Sequence, residues 1–420
     1  MSELLDVVVV GAGQAGLGTS YFLQRDGRKH IVFERGRVGE TWLSQRWDTF
    51  QLNTPNFMNA LPGFPYQGSE PDGFWRQDEL VAYFQDYVEH FRLPVRTGVK
   101  VVSLDRAESN NHFVIKTEAD GQHTETVLCR AVVFAAGIQM VPKIPVFQNK
   151  IPGNITQLHT GDYRNPETLP PGAVVVVGSA QSGCQIVEDL LSAGRRVYLC
   201  TGKAGRVPRR YRGRDILEWW TEMGFMDVTY ASLEDKSVSR IPVPQVSGVG
   251  RYGHTVSLQG LARQGAVILG RLHDVEDGTL ILGDEAAAHI RHGDETSQRF
   301  KNDIDAYIEE IGIEPPPHEE DPADAPDPEA ACASTLRRLN LQAAGISTVI
   351  WSTGFTGDFD WIHLPATDSD GIPIHERGVS PVEGLYFIGF PWLSKRKSGT
   401  IYGIEEDAKH ITSALAKQLA

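Results

Sequence analysis

Two stretches of this chain have the residue types and spacing to hold a phosphorylated dinucleotide. One reads VVVVGAGQAG (7–16), the other VVVVGSAQSG (174–183). In the first, Gly11 suits a tight turn and Gly13 lets backbone N–H groups approach a pyrophosphate. Gly16 lets a helix pack closely on a strand. The second keeps Gly178 and Gly183 but carries Ala180 in the middle place. Other residues could bind or react on their own account. His159 and Tyr163 form an H-x-x-x-Y pair, Asn53 sits in an Asn-Thr-Pro turn, and RVPRRYRGR (206–214) is a basic run.

The surrounding elements decide whether such glycines carry meaning. Residues 7–10 are β-branched and predict a strand buried in a parallel sheet. LGTSYFLQRD (17–26) has helical spacing, and HIVFE closes a second strand at Glu34, where a carboxylate accepts hydrogen bonds from an unmodified ribose. The second copy aligns without a gap: Gly194 and Arg195 match Gly27 and Arg28, and Thr201 replaces Glu34. A hydroxyl beside Lys203, with Arg195 and Arg196 nearby, suits a ribose 2′-phosphate that a carboxylate would repel. The first copy thus suits an unphosphorylated ribose and the second NADPH, a pairing that suggests a flavin reduced by a nicotinamide.

Further segments point the same way. AVVFAAGI (131–138), TVIWSTGF (348–355) and GLYFIGF (384–390) are apolar strands ending in small residues. A helix starting near Gly403 could turn backbone N–H groups toward a flavin. The expected cofactor contacts on the first unit are Gly11, Gly13, Gln14, Ala15, Gly16, Glu34, Arg35, Thr41, Trp42, Val102, Ala136, Gly137, Gly389, Gly403 and Ile404. Those of the second are Gly178, Ala180, Gln181, Ser182, Gly183, Thr201, Lys203, Arg209, Thr353 and Gly354; Asn53 is expected between them. The expected fold is α/β with two Rossmann-like dinucleotide-binding domains. The NADPH domain (149–345) is inserted into a discontinuous FAD domain (1–148 and 346–420), and the acidic, proline-rich stretch 314–330 is a surface loop.

Composition narrows the partners. The chain has 420 residues and a net charge of −14, which disfavours nucleic acid and anionic membrane. No apolar run is long enough to span a bilayer and no secretory signal is legible, so a cytoplasmic protein is expected. Cys129, Cys184, Cys200 and Cys332 lie far apart with no C-x-x-C, which fits a reducing compartment. The histidines show no H-E-x-x-H spacing, and no metal is expected. The arginines of 206–214 could clamp a 2′-phosphate or form a solvated loop. Trp219, Trp220, Phe57, Phe64, Trp75 and Trp392 could cap a pocket or simply pack.

GAGQAG, ERGRVGETW (34–42), QLNTP (51–55), QLHTGDYRNP (157–166), GSAQSG, STGF and FPWLSKRKSGTIYG (390–403) resemble the class B flavin monooxygenases. That group includes the flavin-containing monooxygenases, the YUCCA-type and Baeyer–Villiger enzymes and the CzcO-like bacterial flavoproteins. The resemblance implies FAD, NADPH and O2. It also implies a C4a-(hydro)peroxide of the flavin that inserts one oxygen atom into a small organic substrate, with Asn53 near C4a as the catalytic residue. The family fingerprint F-x-G-x-x-x-H-x-x-x-W/Y/F keeps only its second half here, since Gly153 and Ile155 stand in the Phe and Gly places. Tyr163-Arg164 replaces the Trp-Pro usual in Baeyer–Villiger members. Ketone or keto-acid oxygenation by the same adduct, a disulfide reductase-like oxidoreductase and a non-catalytic redox sensor stay open, as does a homodimer.

Overall fold

The computed structural model describes residues 4–107, 112–241, 243–250, 252–328 and 335–420. Cys332 and residues 329–330 of the acidic stretch lie outside the described residues. The valine run forms β1 (Leu5–Val10), whose last four residues are buried because neighbours cover both faces of the sheet. β1 pairs in parallel with β2 (His30–Phe33) on one side and, on the other, with the inner half of β6 (Gln122–Phe134). The sheet is completed by β3 (Val95–Arg96), by β4 (Lys100–Arg106) and β5 (Phe113–Ala119) as an antiparallel extension, and by strand Leu385–Phe387, which returns to β6.

The chain then crosses to a second sheet through a short ribbon. β7 (Val141–Pro142) pairs antiparallel with Phe355–Thr356 on the way back. The second sheet runs Val267–Leu269, β10 (Val197–Cys200), β9 (Ala173–Val177), Ile346–Trp351 and β8 (Thr156–His159), all parallel. Ile346–Trp351 therefore belongs to the second sheet. The expected restart of the first domain at 346 falls one strand early, because the apolar run and the crossing after it cannot be separated by composition.

The two glycine units are superposable in detail. α1 (Gln14–Arg25) and the cleft helix (Gln181–Ser192) are each 12 residues long. Gly11 has φ +107° and Gly178 φ +109°, a region that favours glycine. A Cβ at Gly16 would lie 1.8 Å from the Gly11 carbonyl oxygen, and one at Gly183 would lie 1.9 Å from that of Gly178. A Cβ at Gly13 would meet nothing within 4 Å, and Ala180 shares its extended backbone (φ −88° and −77°). The second loop thus tolerates alanine without strain, whereas its flanking glycines are obligatory.

Candidate functional site

Against the first loop lies a cavity of about 220 Å³, walled by Gly11, Gly13, Gln14, Ala15, Glu34, Thr41, Trp42, Ala136, Gly137 and Gly389. The Glu34 carboxylate accepts from Ala12 N–H (2.8 Å) and Gly36 N–H (2.9 Å), so it fastens the glycine loop to the end of β2 while facing the cavity. Trp42 Nε1 donates to Gln14 Oε1 at 3.2 Å, closing the side wall. The bare Cα of Gly13 on this wall leaves room for a pyrophosphate to reach backbone N–H groups. A smaller recess of about 70 Å³ continues past Glu34 and Arg35 to Lys100 and Val101. Val102 does not line it: Val99, Lys100 and Val101 do, and the ladder of β4 shifts register between Val101 and Ser103. Gly16 serves packing alone. Gly403 and Ile404 are likewise buried in packing: the Gly403 N–H is taken by Thr400, and the cavity wall is formed one turn earlier, by Gly399 to Ile401.

A cleft of about 1230 Å³ adjoins the cavity and shares Gln14, Trp42, Arg46, Ile138, Gln139 and Gly399 with it as walls. Its walls bring together Gln14 and Trp42 from the first unit, Gly178, Ala180, Gln181 and Ser182 from the second, Thr353 and Gly354 from the crossing, and Asn53. Asn53 is held by tertiary contacts alone. Its carbonyl accepts from Arg209 Nη1 (2.8 Å), and its Oδ1 accepts from Gln185 Nε2 (3.3 Å). Gln185 lies on the cleft helix, is 3% exposed, and its Oε1 has no partner among the described residues although it borders the cleft. A buried orphan acceptor of this kind fits an amide-bearing ligand such as nicotinamide. One turn on, Asp189 accepts from Thr49 Oγ1 (2.9 Å) and Tyr163 OH (2.6 Å), tying the Asn53 segment to the same helix. Burial raises the pKa of Asp189, and those two hydrogen bonds oppose the rise. His159 bonds the Gly354 carbonyl (3.0 Å), so the H-x-x-x-Y pair braces the crossing rather than entering the cleft.

The end of β10 departs from expectation. Thr201 is buried, and its hydroxyl bonds the Leu269 carbonyl (2.7 Å) and His289 Nδ1 (2.9 Å). Four of the five arginines of the run are also committed, Arg210 being exposed. Arg206 pairs with Asp294 and Asp324 (both 2.8 Å), Arg212 with Asp305 (2.5 Å), and Arg214 with Glu218 (3.2 Å) and Glu222 (2.6 Å). Arg209, 1% exposed, is forked on Asp215. It is therefore a structural residue rather than a phosphate clamp. The acids that match Arg214 and Arg209 lie 4 to 8 positions on, but those of Arg206 and Arg212 lie 88 to 118 positions away, which no local reading could pair. Asp324 also draws part of the acidic stretch inward instead of leaving it as a surface loop. Exposed Lys203 and Arg271 remain, beside His289 and His292 of helix Ala286–Ile311. Both imidazoles are held below the ordinary histidine value, by burial first and then by cations that include Lys203.

Trp219 and Trp220 are core residues of the second unit, while Phe64 and Trp75 pack against Tyr83; none caps the cleft. Its aromatic walls are Trp42, Trp47, Phe50 and Phe355. Arg46, Gln139, Gln185 and Asp189 were missed by sequence reasoning; only the helical spacing of Gln185 and Asp189 after the second loop could have marked them. Cys129, Cys184 and Cys200 are buried, and burial drives all three thiols up, Cys200 to about 12. Among the described residues no group of three or more His, Cys, Asp or Glu could hold a metal, and no helix is long and apolar enough to cross a membrane.

A family model described as pyridine nucleotide-disulphide oxidoreductase matches residues 8–255. The uncharacterized oxidoreductase CzcO of Bacillus subtilis (strain 168) is 31% identical over 415 residues, covering 98% of this chain and 99% of that protein. A flavin-containing monooxygenase from Stenotrophomonas maltophilia shares the fold across 100% of both chains, with TM-score 0.66 at 18% identity. OTEMO, solved as a complex with FAD and NADP, shares it over 99% of this chain and 86% of that one, with TM-score 0.56 at 16% identity.

Proposed function

The chain belongs to the pyridine nucleotide-disulphide oxidoreductase family and to its class B flavin monooxygenase group, and on that premise we propose that it is an FAD- and NADPH-dependent monooxygenase of small organic molecules. The observation that carries this reading is that the cavity of the first loop and the cleft of the second loop share Gln14, Trp42 and Gly399 as walls, with Asn53 lining the cleft. Bound FAD would accept a hydride from NADPH and transfer one atom of O2 to the substrate, so that substrate, O2, NADPH and a proton become oxygenated substrate, NADP⁺ and water. The first loop and Glu34 would hold the FAD pyrophosphate and ribose. Gly178–Ser182 would hold that of NADPH at the N-terminus of the cleft helix. Lys203 and Arg271 would take the 2′-phosphate in place of the committed arginines.

Gln185 keeps the Asn53 amide in one orientation, and Arg209 keeps its backbone in place, so a donor is fixed in the cleft wall. Trp42, Trp47 and Phe50 make that part of the cleft apolar and limit water. A dithiol mechanism finds no support in three buried, separated thiols. The test is NADPH oxidation by the FAD-loaded protein under ¹⁸O2 with a substrate panel. Incorporation of one labelled atom supports the reading. Flavin reduction with release of peroxide only, across the panel, defeats it.

A further inference from the structure

The cleft has a charge pattern that the glycine units do not require. In a chain with 54 acidic and 40 basic residues, no carboxylate among the described residues lines it, and its charged lining residues are Arg46, Lys143 and Arg271. Arg271 is accounted for by the 2′-phosphate, if the function proposed above holds. The other two come from the first unit and from the crossing. Arg46 reaches both the cavity and the cleft, with its guanidinium over Trp42 (5.0 Å) and Phe50 (5.3 Å). It donates only to neutral acceptors, Gln45 O (2.9 Å) and Gln139 Oε1 (2.7 Å). Burial pulls its pKa down to about 10, with no carboxylate to oppose the fall. Lys143, exposed on the crossing next to Pro142, Ile144 and Pro145, makes no ion pair with any described residue. The wall around it is apolar: Pro142, Ile144, Pro145 and Val243 line the same cleft, and Val243 is 71% exposed.

We propose that the substrate is a small organic acid, an apolar body bearing a carboxylate, and not an amine. An unpaired guanidinium in an aromatic slot and a lysine at an apolar mouth offer a carboxylate two counter-charges and its carbon skeleton a dry wall. A protonated amine would meet these cations and no acid. A cleft of one sign in a chain of opposite net charge also concentrates anions from solution. This rests on the function proposed above for the identity of the cleft, but its test is one of binding and is read separately.

Three thioethers of one size separate the charges: 4-(methylthio)butanoate, its methyl ester and 4-(methylthio)butylamine. Titrated into the FAD-loaded protein and read calorimetrically, the carboxylate should bind roughly tenfold tighter than the ester, and the amine more weakly still. Added salt should weaken the carboxylate and leave the ester unchanged. Lys143→Glu, at an exposed site, should cost the carboxylate roughly tenfold and leave NADPH within about twofold. Equal or tighter binding of the amine overturns the proposal. So does a Lys143→Glu variant that weakens NADPH as much as the carboxylate, since the cation would then serve the cofactor. Failure of NADPH to reduce the flavin would instead strike the monooxygenase reading and leave the ranking of the three probes intact.

Discussion

Arg209→Ala separates a structural arginine from a cofactor clamp. The side chain is 1% exposed and forked on Asp215, itself 6% exposed, and its guanidinium lies 4.5 Å above the Phe74 ring. Removing it leaves a buried carboxylate without its counter-charge, which costs about 3–5 kcal/mol. The Asn53 carbonyl also loses a donor, worth about 1 kcal/mol. Urea unfolding of the FAD-loaded protein should register the sum as a lower midpoint. Arg210→Ala, at an exposed neighbour, should stay within about 0.5 kcal/mol. Asp215 also accepts from Leu217 N–H (2.9 Å) at a helix start, a cap that asparagine can keep. Arg209→Met with Asp215→Asn should therefore recover most of the loss, to within about 2 kcal/mol. Binding of NADPH and NADH should fall together, because what moves is Asn53 and not a phosphate ligand. A variant of wild-type stability that loses NADPH selectively would refute this reasoning.

Lys203→Glu should weaken NADPH by roughly tenfold while sparing NADH, read by titration of each nucleotide; equal losses would place the 2′-phosphate elsewhere. Exposed His254 bonds Glu188 (2.7 Å) and is held above its ordinary value chiefly by that hydrogen bond. Its contribution is whole below pH about 6.5 and is lost as pH rises through the raised value. His254→Gln should therefore flatten the fall of the urea midpoint above that pH, and an unchanged slope would count against the pair. In a Cys332→Ser background, an aromatic disulfide reagent should find no reactive thiol in the native protein, since Cys129, Cys184 and Cys200 are buried with raised pKa. Rapid labelling of any one of them would show that the core opens.

The repeated unit was legible because its constraints are local. A glycine at φ near +108°, another pressed on a carbonyl, a helix of fixed length and a strand of valines each leave a mark within a few residues. The family resemblance was legible for the same reason. Ala180, which looks like a flaw in the sequence, stands where the matching Gly13 has room for a Cβ. The domain boundary at 346 misplaced a strand, because membership in a sheet depends on which neighbours a strand pairs with.

Sequence by itself determined the two dinucleotide folds, their order and the two glycine loops. Tertiary structure alone decided which polar groups are spent and which are left to bind. Arg206, Arg209, Arg212 and Arg214 look like a cationic clamp until Asp294, Asp324, Asp215, Asp305, Glu218 and Glu222 close on them. Thr201 looks like a phosphate ligand until Leu269 and His289 take its hydroxyl. Arg46 and Lys143, unremarkable in the sequence, keep their charge unpaired in the cleft. A charge acts at long range only where no counter-charge lies against it, and for Arg206, Arg212 and Thr201 the partners that decide this come from elements far apart in the chain.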